Sequence, residues 1–433
     1  MKKKLLTLVL AAACTFSFTA CSSMESLLEA AQQATEETEA SEEITESTEE
    51  ETEESTKEAT EESTEEATEA TEETTSAPAS VNTPSELSDD LYSFQVSVDG
   101  TVYQFPMWYS DFEVLGWTYN GDATATLTSN QYTVAEMWEK DGCKISSKIA
   151  NLSMNTAPYS NCIVAGITFD PIYLKDCDWE IILPKGIQYG VSTTDDIIAA
   201  YGTPSSDYDG SMYYKMSYEY GSYQSIELYV YKESGVLEQI EIENIIELEG
   251  ADNSVDSTVP EIVKNYTAPT AVGDDLYAFN IELEGNLYTL PCPVSELLAN
   301  GFTINEKDSA SEFAAGGFDW VEFKYNNQPY RTLVHNYADY ATTVENCFVT
   351  SMKSSIYDPD FALTIPCDIK RGDNEKEVLE ILKKYNYEIE TSSDFTYYTV
   401  YDPDGSKLDN FTIITKEGEV VIIEVSNSNK PEY

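Results

Sequence analysis

The sequence predicts an α+β fold: two tandem repeats of antiparallel sheet with short helices, preceded by a signal peptide and a disordered linker. Three observations carry this. First, residues recur at a nearly constant offset, so that Asp89-Asp90-Leu91-Tyr92 returns as Asp274-Asp275-Leu276-Tyr277 and Asn161-Cys162 as Asn346-Cys347, an offset of 185. Second, apolar and polar residues alternate with period two between turn residues, as in Ile226-Glu227-Leu228-Tyr229-Val230. Third, helix start and stop signals stand close together, as between Ser192 and Gly202-Thr203-Pro204.

The elements of one copy follow in order. Phe94–Val98 and Val102–Phe105 alternate about Asp99-Gly100, a strong short hairpin signal. Ser110 is placed to cap a short helical turn ending at Gly116, as Ser295 and Gly301 are in the second copy. Hairpins follow around Asp141-Gly142 and Asn326-Asn327. Ser192 with Asp195 reads as a capping box opening a helix, and the matching helix runs from Asp373 to about Lys384. Three strands then close each copy, with Ile226, Leu228, Val230, Leu237, Ile240 and Ile242 on the core face. The offset falls to 182 at Pro184 and Pro366 and becomes 183 at Asn244 and Asn427. Residues 89–249 and 274–433 are the two repeats, joined by a Ser/Thr/Pro/Asp-rich linker, 250–273. Each is long enough for its own core.

The N-terminus carries a targeting signal. Met1-Lys2-Lys3-Lys4 precedes a mostly apolar run from Leu5 to Ala13, too short to span a bilayer as a mature helix. The run leads to Phe18-Thr19-Ala20-Cys21-Ser22. In this order of parts the first 23 residues resemble a bacterial lipoprotein precursor, with Phe18 in place of the preferred leucine. The resemblance implies cleavage before Cys21 and a diacylglycerol on its thiol, so that residues 1–21 are signal peptide and lipobox. It also implies a protein lipid-anchored on the extracellular face of the cell membrane, of the Gram-positive type. Two or three acyl chains anchor firmly, where one binds only marginally. Residues 22–88 form an acidic tether. Between Glu25 and Glu73 there are 21 glutamates and one base, Lys57, which leaves too little apolar surface to offset ordering entropy. A coil of that length reaches roughly 45 Å and serves as a spacer.

Charge and composition exclude several functions. Lys and Arg total 24 against 79 Asp and Glu, a net charge of −55, which repels nucleic-acid phosphate. The single histidine, His335, excludes multi-histidine metal sites. There is no C-x-x-C, no Gly-x-Ser-x-Gly and no phosphate-cradling loop, so neither a metal nor a cofactor is expected. Asp402-Pro403-Asp404-Gly405 with Asp409 lacks the remaining acidic positions of a calcium loop and reads as a tight turn. Of six cysteines in the repeats only Cys162 and Cys347 correspond, and a disulfide framework should repeat with its domain. Free buried thiols are therefore expected.

Gly190-Val191-Ser192-Thr193 through Tyr201-Gly202-Thr203-Pro204, followed by strands, resembles the small outer-membrane lipoprotein and β-lactamase-inhibitor-like folds over about 55 residues. That likeness implies a helix before a curved sheet and no function. The remaining candidates are aromatic. Alternation turns Tyr213, Tyr229 and Tyr231 away from the core face, and tyrosine combines large contact area with a polar tip. Thr412 and Ile414 are read as the second-copy counterparts of Tyr229 and Tyr231. The expected function is a non-catalytic binding or adhesion module taking a glycan or protein ligand. The alternatives are a carboxylate-based cell-wall or carbohydrate-processing enzyme, and an inhibitor or accessory subunit that binds a protein partner.

Overall fold

The computed structural model describes residues 83–216, 223–357 and 361–432. Cys21, the signal peptide and the tether up to residue 82 lie outside the described residues.

Both copies begin with a two-residue hairpin. Gln95–Val98 pairs with Thr101–Gln104, and Asn280–Leu283 pairs with Asn286–Thr289. The turn residues Asp99 and Gly100 have φ of 47° and 79°, the left-handed pair that matches the twist of the strands. Each hairpin gains two later strands, Ile181–Leu183 with Ile187–Gln188 and Leu363–Ile365 with Ile369–Lys370. The peptide bonds Phe105–Pro106 and Leu290–Pro291 that follow the hairpins are both cis.

The larger sheet of the first copy is antiparallel throughout. Its path runs through Ser206–Tyr208, Ser211–Lys215, Gln224–Val230, Leu237–Asn244, Ile163–Phe169, Cys143–Asn151, Glu136–Lys140 and Thr118–Tyr119. Gly166 is required where two of these strands nearly touch, since a Cβ there would lie 2.2 Å from the Ile242 carbonyl oxygen. In the second copy the same path is divided between two five-stranded sheets, the break falling at Thr350 between Phe348–Val349 and Ser351–Ser355. Thr350 corresponds to Ala165, where the first copy has a bulge between Val164 and Gly166.

Two asparagine pairs fix the same points in both copies. Asn244 and Asn427 each donate from Nδ2 to the carbonyl before the cis proline, that of Phe105 or Leu290, at 2.8 Å. Asn151 and Asn336 each hold a loop closed by donating to the carbonyl four residues on, Asn155 or Tyr340, at 2.8 Å. Each copy also has its own core. In the first, Phe112 stacks on Trp117 at 5.0 Å and meets Trp138 edge-on at 4.9 Å. In the second, Phe279 stacks on Phe411.

The fold is β-rich, which corrects the α+β expectation. Among the described residues the α-helices are only four to eight residues long, while antiparallel strands make up most of the framework. The start and stop signals were genuine but stood too close together for more than two helical turns, as in Thr194–Tyr201 and Glu375–Leu382. Helices this short depend on packing against the sheets and form no layer of their own. The caps are also displaced. Thr193 with Asp196 forms the capping box, one residue beyond the expected pair, and Ser192 Oγ instead accepts from the Gln188 amide at 2.9 Å. Trp108, not Ser110, is the N-cap of Tyr109–Val114, and Asn374 caps Glu375–Leu382.

The expectation of free thiols also fails in part. Cys143 and Cys177 form a disulfide, and Cys162, Cys292, Cys347 and Cys367 are free. The argument from repetition missed the bridge because it is private to the first copy. It ties the Asp141-Gly142 hairpin to the segment after Pro171–Leu174, and the position matching Cys143 is Gln328.

The connector bonds both copies: Asn155 Nδ2 donates to the carbonyls of Asp252 and Ser254 at 3.1 and 3.0 Å, and the following residues pack against the second copy. Asp256 bridges Thr342 in parallel, and the Thr289 amide donates to the Tyr266 hydroxyl at 3.0 Å. The copies also bond directly, from the Thr156 amide to the Asp339 carbonyl at 3.0 Å and from the Ala341 amide to Asn155 Oδ1 at 2.7 Å.

Candidate functional site

Ser211–Lys215, Gln224–Val230 and Leu237–Asn244 are neighbours in the first sheet, and their alternation divides two faces. Met212, Tyr214, Ile226, Leu228, Ile240 and Ile242 are buried in the core. Tyr213, Glu227 and Glu241 form one cross-strand row on the outer face, since Tyr213 pairs with Glu227 and Glu227 with Glu241. Tyr229 stands diagonally from Tyr213, opposite Ser211. Tyr231 follows the end of its strand, and its ring meets that of Tyr229 edge-on at 4.6 Å. All three tyrosines are half-buried, and Tyr208 on the neighbouring edge strand is 81% exposed.

Acidic groups surround these rings. Burial and a hydrogen bond with Glu227 push the Tyr213 phenol up, and burial followed by the charge of Asp170 does the same at Tyr231. The Lys215 ammonium lies 5.9 Å from the centre of the Tyr213 ring. Further along the face Lys148 binds Glu241 at 2.9 Å and Glu243 at 2.8 Å. Burial raises the Glu243 carboxyl above its ordinary range against the pull of Lys148. Burial lowers the Lys148 ammonium, but the hydrogen bonds and charges of the two carboxylates outweigh it. The face therefore offers aromatic edges and hydroxyls within negative potential, a setting for an uncharged or basic ligand.

The strand register corrects the expected second-copy counterparts. Glu227 and Thr412 both oppose the equivalent glutamates Glu241 and Glu424, so Tyr229 corresponds to Ile414 and Tyr231 to Lys416. The two-residue change of offset occurs only in the next turn, which is shorter in the second copy.

A separate cleft of about 450 Å³ lies beside Trp108. Trp108 packs with Leu152, Ile245 and Leu248 on a small apolar cluster of Ala150, Ile163 and Ala165. Thr156, Ala157, Ser160 and Asn161 line another wall, and Leu248 to Asp252 of the chain entering the connector complete it. No sequence motif marked this cleft, because its residues meet only through the loop closed by Asn151.

The second copy has its own aromatic patch. Trp320 is 49% exposed, with the Arg331 guanidinium 5.7 Å from its ring. His335 lies between Phe318 and Tyr337 and its Nε2 bonds the Gly316 carbonyl at 3.1 Å. Burial lowers the imidazole pKa. Asp409 is fully buried and accepts from the amides and hydroxyls of Ser406 and Ser428, so its carboxylate closes the loop instead of facing solvent. Among the described residues no cluster of three or more His, Cys, Asp or Glu could hold a metal ion, and no helix is long and apolar enough to cross a membrane.

No family model, curated protein or solved structure matches the chain.

Proposed function

We propose that the chain is a lipid-anchored extracellular binding module. Lipid on Cys21 holds it at the membrane, the acidic tether spaces it from the surface, and the two repeats form a non-catalytic head. The head contacts a glycan or a protein through Tyr213, Tyr229 and Tyr231. The observation that carries this reading is the edge-on pair of Tyr229 and Tyr231, set on the side of the sheet opposite the buried Leu228 and Val230. Preformed aromatic pairs lose little side-chain freedom on binding, and such residues concentrate binding energy. Glu227, Glu241, Asp170 and Glu238 disfavour an anionic ligand by repulsion.

The test is a screen of the protein against neutral and acidic glycans and against surface proteins, repeated with Tyr229→Ala. The substitution should weaken binding roughly tenfold or more, as expected of an aromatic contact residue. The melting temperature should move by less than about 3 °C, since no core contact is lost. Unchanged affinity, or a large fall in melting temperature, would assign these rings to structure.

A further inference from the structure

The two copies treat one groove differently. In the second copy the short strand Thr342–Thr343 pairs on one edge with Glu312–Phe313. Its other edge carries the connector. Asp256 bridges Thr342 in parallel, its amide donates to the Ala341 carbonyl at 2.9 Å, and its carbonyl accepts from Thr342 Oγ1 at 2.7 Å. Asn346 then donates from Nδ2 to the carbonyls of Ser257 and Thr258 at 3.2 and 3.3 Å. Under this cover Asn346 is only 5% exposed.

In the first copy the connector covers only one end of the matching groove: Asn155 Nδ2 donates to the carbonyls of Asp252 and Ser254 at 3.1 and 3.0 Å, and among the described residues no connector residue bonds Ala157, Pro158 or Asn161. Ala157–Pro158 pairs on one edge with Thr126–Leu127, as its counterpart does. Its other side borders the cleft beside Trp108. Asn161, the counterpart of Asn346, is exposed there and its amide has no partner among the described residues. Thr156, the counterpart of Ala341, lines the cleft, and its Oγ1 is buried without a hydrogen-bond partner among the described residues. Trp108 replaces Pro293, and a Cβ at Gly250 would lie 3.9 Å from its ring.

We propose that this cleft binds an extended peptide segment of a partner protein, laid along Ala157–Pro158 as Asp256–Thr258 lies along Thr342–Thr343. One peptide amide donates to the Thr156 carbonyl, and the next carbonyls accept from Asn161 Nδ2. Ala157 lacks the Thr342 hydroxyl and Pro158 lacks an amide proton, so fewer main-chain bonds hold the segment and the Trp108 ring supplies apolar contact instead. The sister groove holds Asp, Ser and Thr, so the expected occupant has small or hydroxyl-bearing side chains. This is strand addition, in which main-chain bonds give affinity and the pocket selects side chains. It is independent of the tyrosine face.

The sister groove supplies the probe. A fluorescently labelled peptide with the sequence of residues 254–260, Ser-Val-Asp-Ser-Thr-Val-Pro, is titrated into the whole chain and followed by anisotropy. Saturable binding is expected. Asn161→Ala should weaken it roughly tenfold through loss of its hydrogen bonds, and Ser110→Trp, at an exposed rim position, should block it. Tyr229→Ala should leave it unchanged, which separates this site from the tyrosine face. A peptide carrying D256P, unable to donate at the position that meets Thr156, should not bind. Absence of saturable binding at millimolar peptide, or binding insensitive to both Asn161→Ala and D256P, would overturn the proposal.

Discussion

Removing the Cys143–Cys177 bridge should lower stability by an amount the chain length predicts. The bridge spans a sequence separation of 34. The loop-entropy relation assigns a loop of that size about 4 kcal/mol at 25 °C, an upper figure because the open chain retains some structure. The perturbation is the pair Cys143→Ser and Cys177→Ser, which avoids leaving one reactive thiol. Cys143 is buried and Cys177 lies two residues before Trp179, whose ring meets Trp117 edge-on at 5.5 Å in the first core. Urea unfolding followed by tryptophan fluorescence is a suitable assay, since Trp108, Trp117, Trp138 and Trp179 belong to the first copy and only Trp320 to the second. The midpoint should fall by about 1–2 M urea, taking the usual urea slope of about 2 kcal/mol per molar. An unchanged midpoint in the double variant would refute the reasoning. So would mass mapping of the unreduced protein that finds no peptide linking the two cysteines.

Other expectations follow from single groups. Cys21→Ser should move the protein from the membrane fraction to the medium or soluble fraction, and unchanged membrane retention would count against lipidation at that residue. Asp409→Ala should destabilise the protein by about 3 kcal/mol, because it strands buried donors of Ser406 and Ser428; calorimetry showing less than about 0.5 kcal/mol would contradict that role. Glu375 accepts from Tyr398 at 2.6 Å and Thr415 at 2.7 Å, which lowers its folded pKa. Its contribution is therefore present above its unfolded pKa and lost as pH falls through the folded one. Glu375→Gln should flatten that part of the acid limb of a stability–pH curve, and an identical acid limb would refute the assignment.

Much of the strand framework was legible because period-two alternation and turn residues act locally. Ile226, Leu228 and Val230 are buried, and Asp99-Gly100, Asp141-Gly142 and Asn326-Asn327 all turn hairpins. The balance of helix and sheet was less legible, because a cap records where a helix starts and not how far packing will carry it. The helix after Thr193 ends at Tyr201 despite its full capping box. The disulfide was hidden because Cys143 and Cys177 become neighbours only after the chain turns back across the sheet. The open groove was hidden for a similar reason. Both positions are asparagine, and the path of the connector distinguishes the buried Asn346 amide from that of Asn161, which is exposed and has no partner among the described residues.

Comparing corresponding positions of residues 89–249 and 274–433 separates framework from surface within a single chain. Residues that repeat are those the shared geometry needs: Asn244 and Asn427 hold the carbonyl before a proline, and Asn151 and Asn336 close a loop by the same bond. Replacing any of them would strand buried polar groups in its own copy, so they have little freedom to change. Residues on the outer faces carry no such obligation. Tyr229 stands where the second copy has Ile414, Tyr231 where it has Lys416, and Trp108 where it has Pro293. Conversely His335 stands where the first copy has Ala150. Differences of this kind do not alter the hydrogen-bonded frame, but they decide what each face can touch. The first copy has tyrosines beside carboxylates and a cleft beside Trp108, whereas the second has Trp320 under Arg331 and a groove filled by the connector. The second copy thus uses the edge of Thr342–Thr343 to hold the connector, and the proposed peptide site rests on the absence of the matching bonds at Ala157–Pro158 among the described residues.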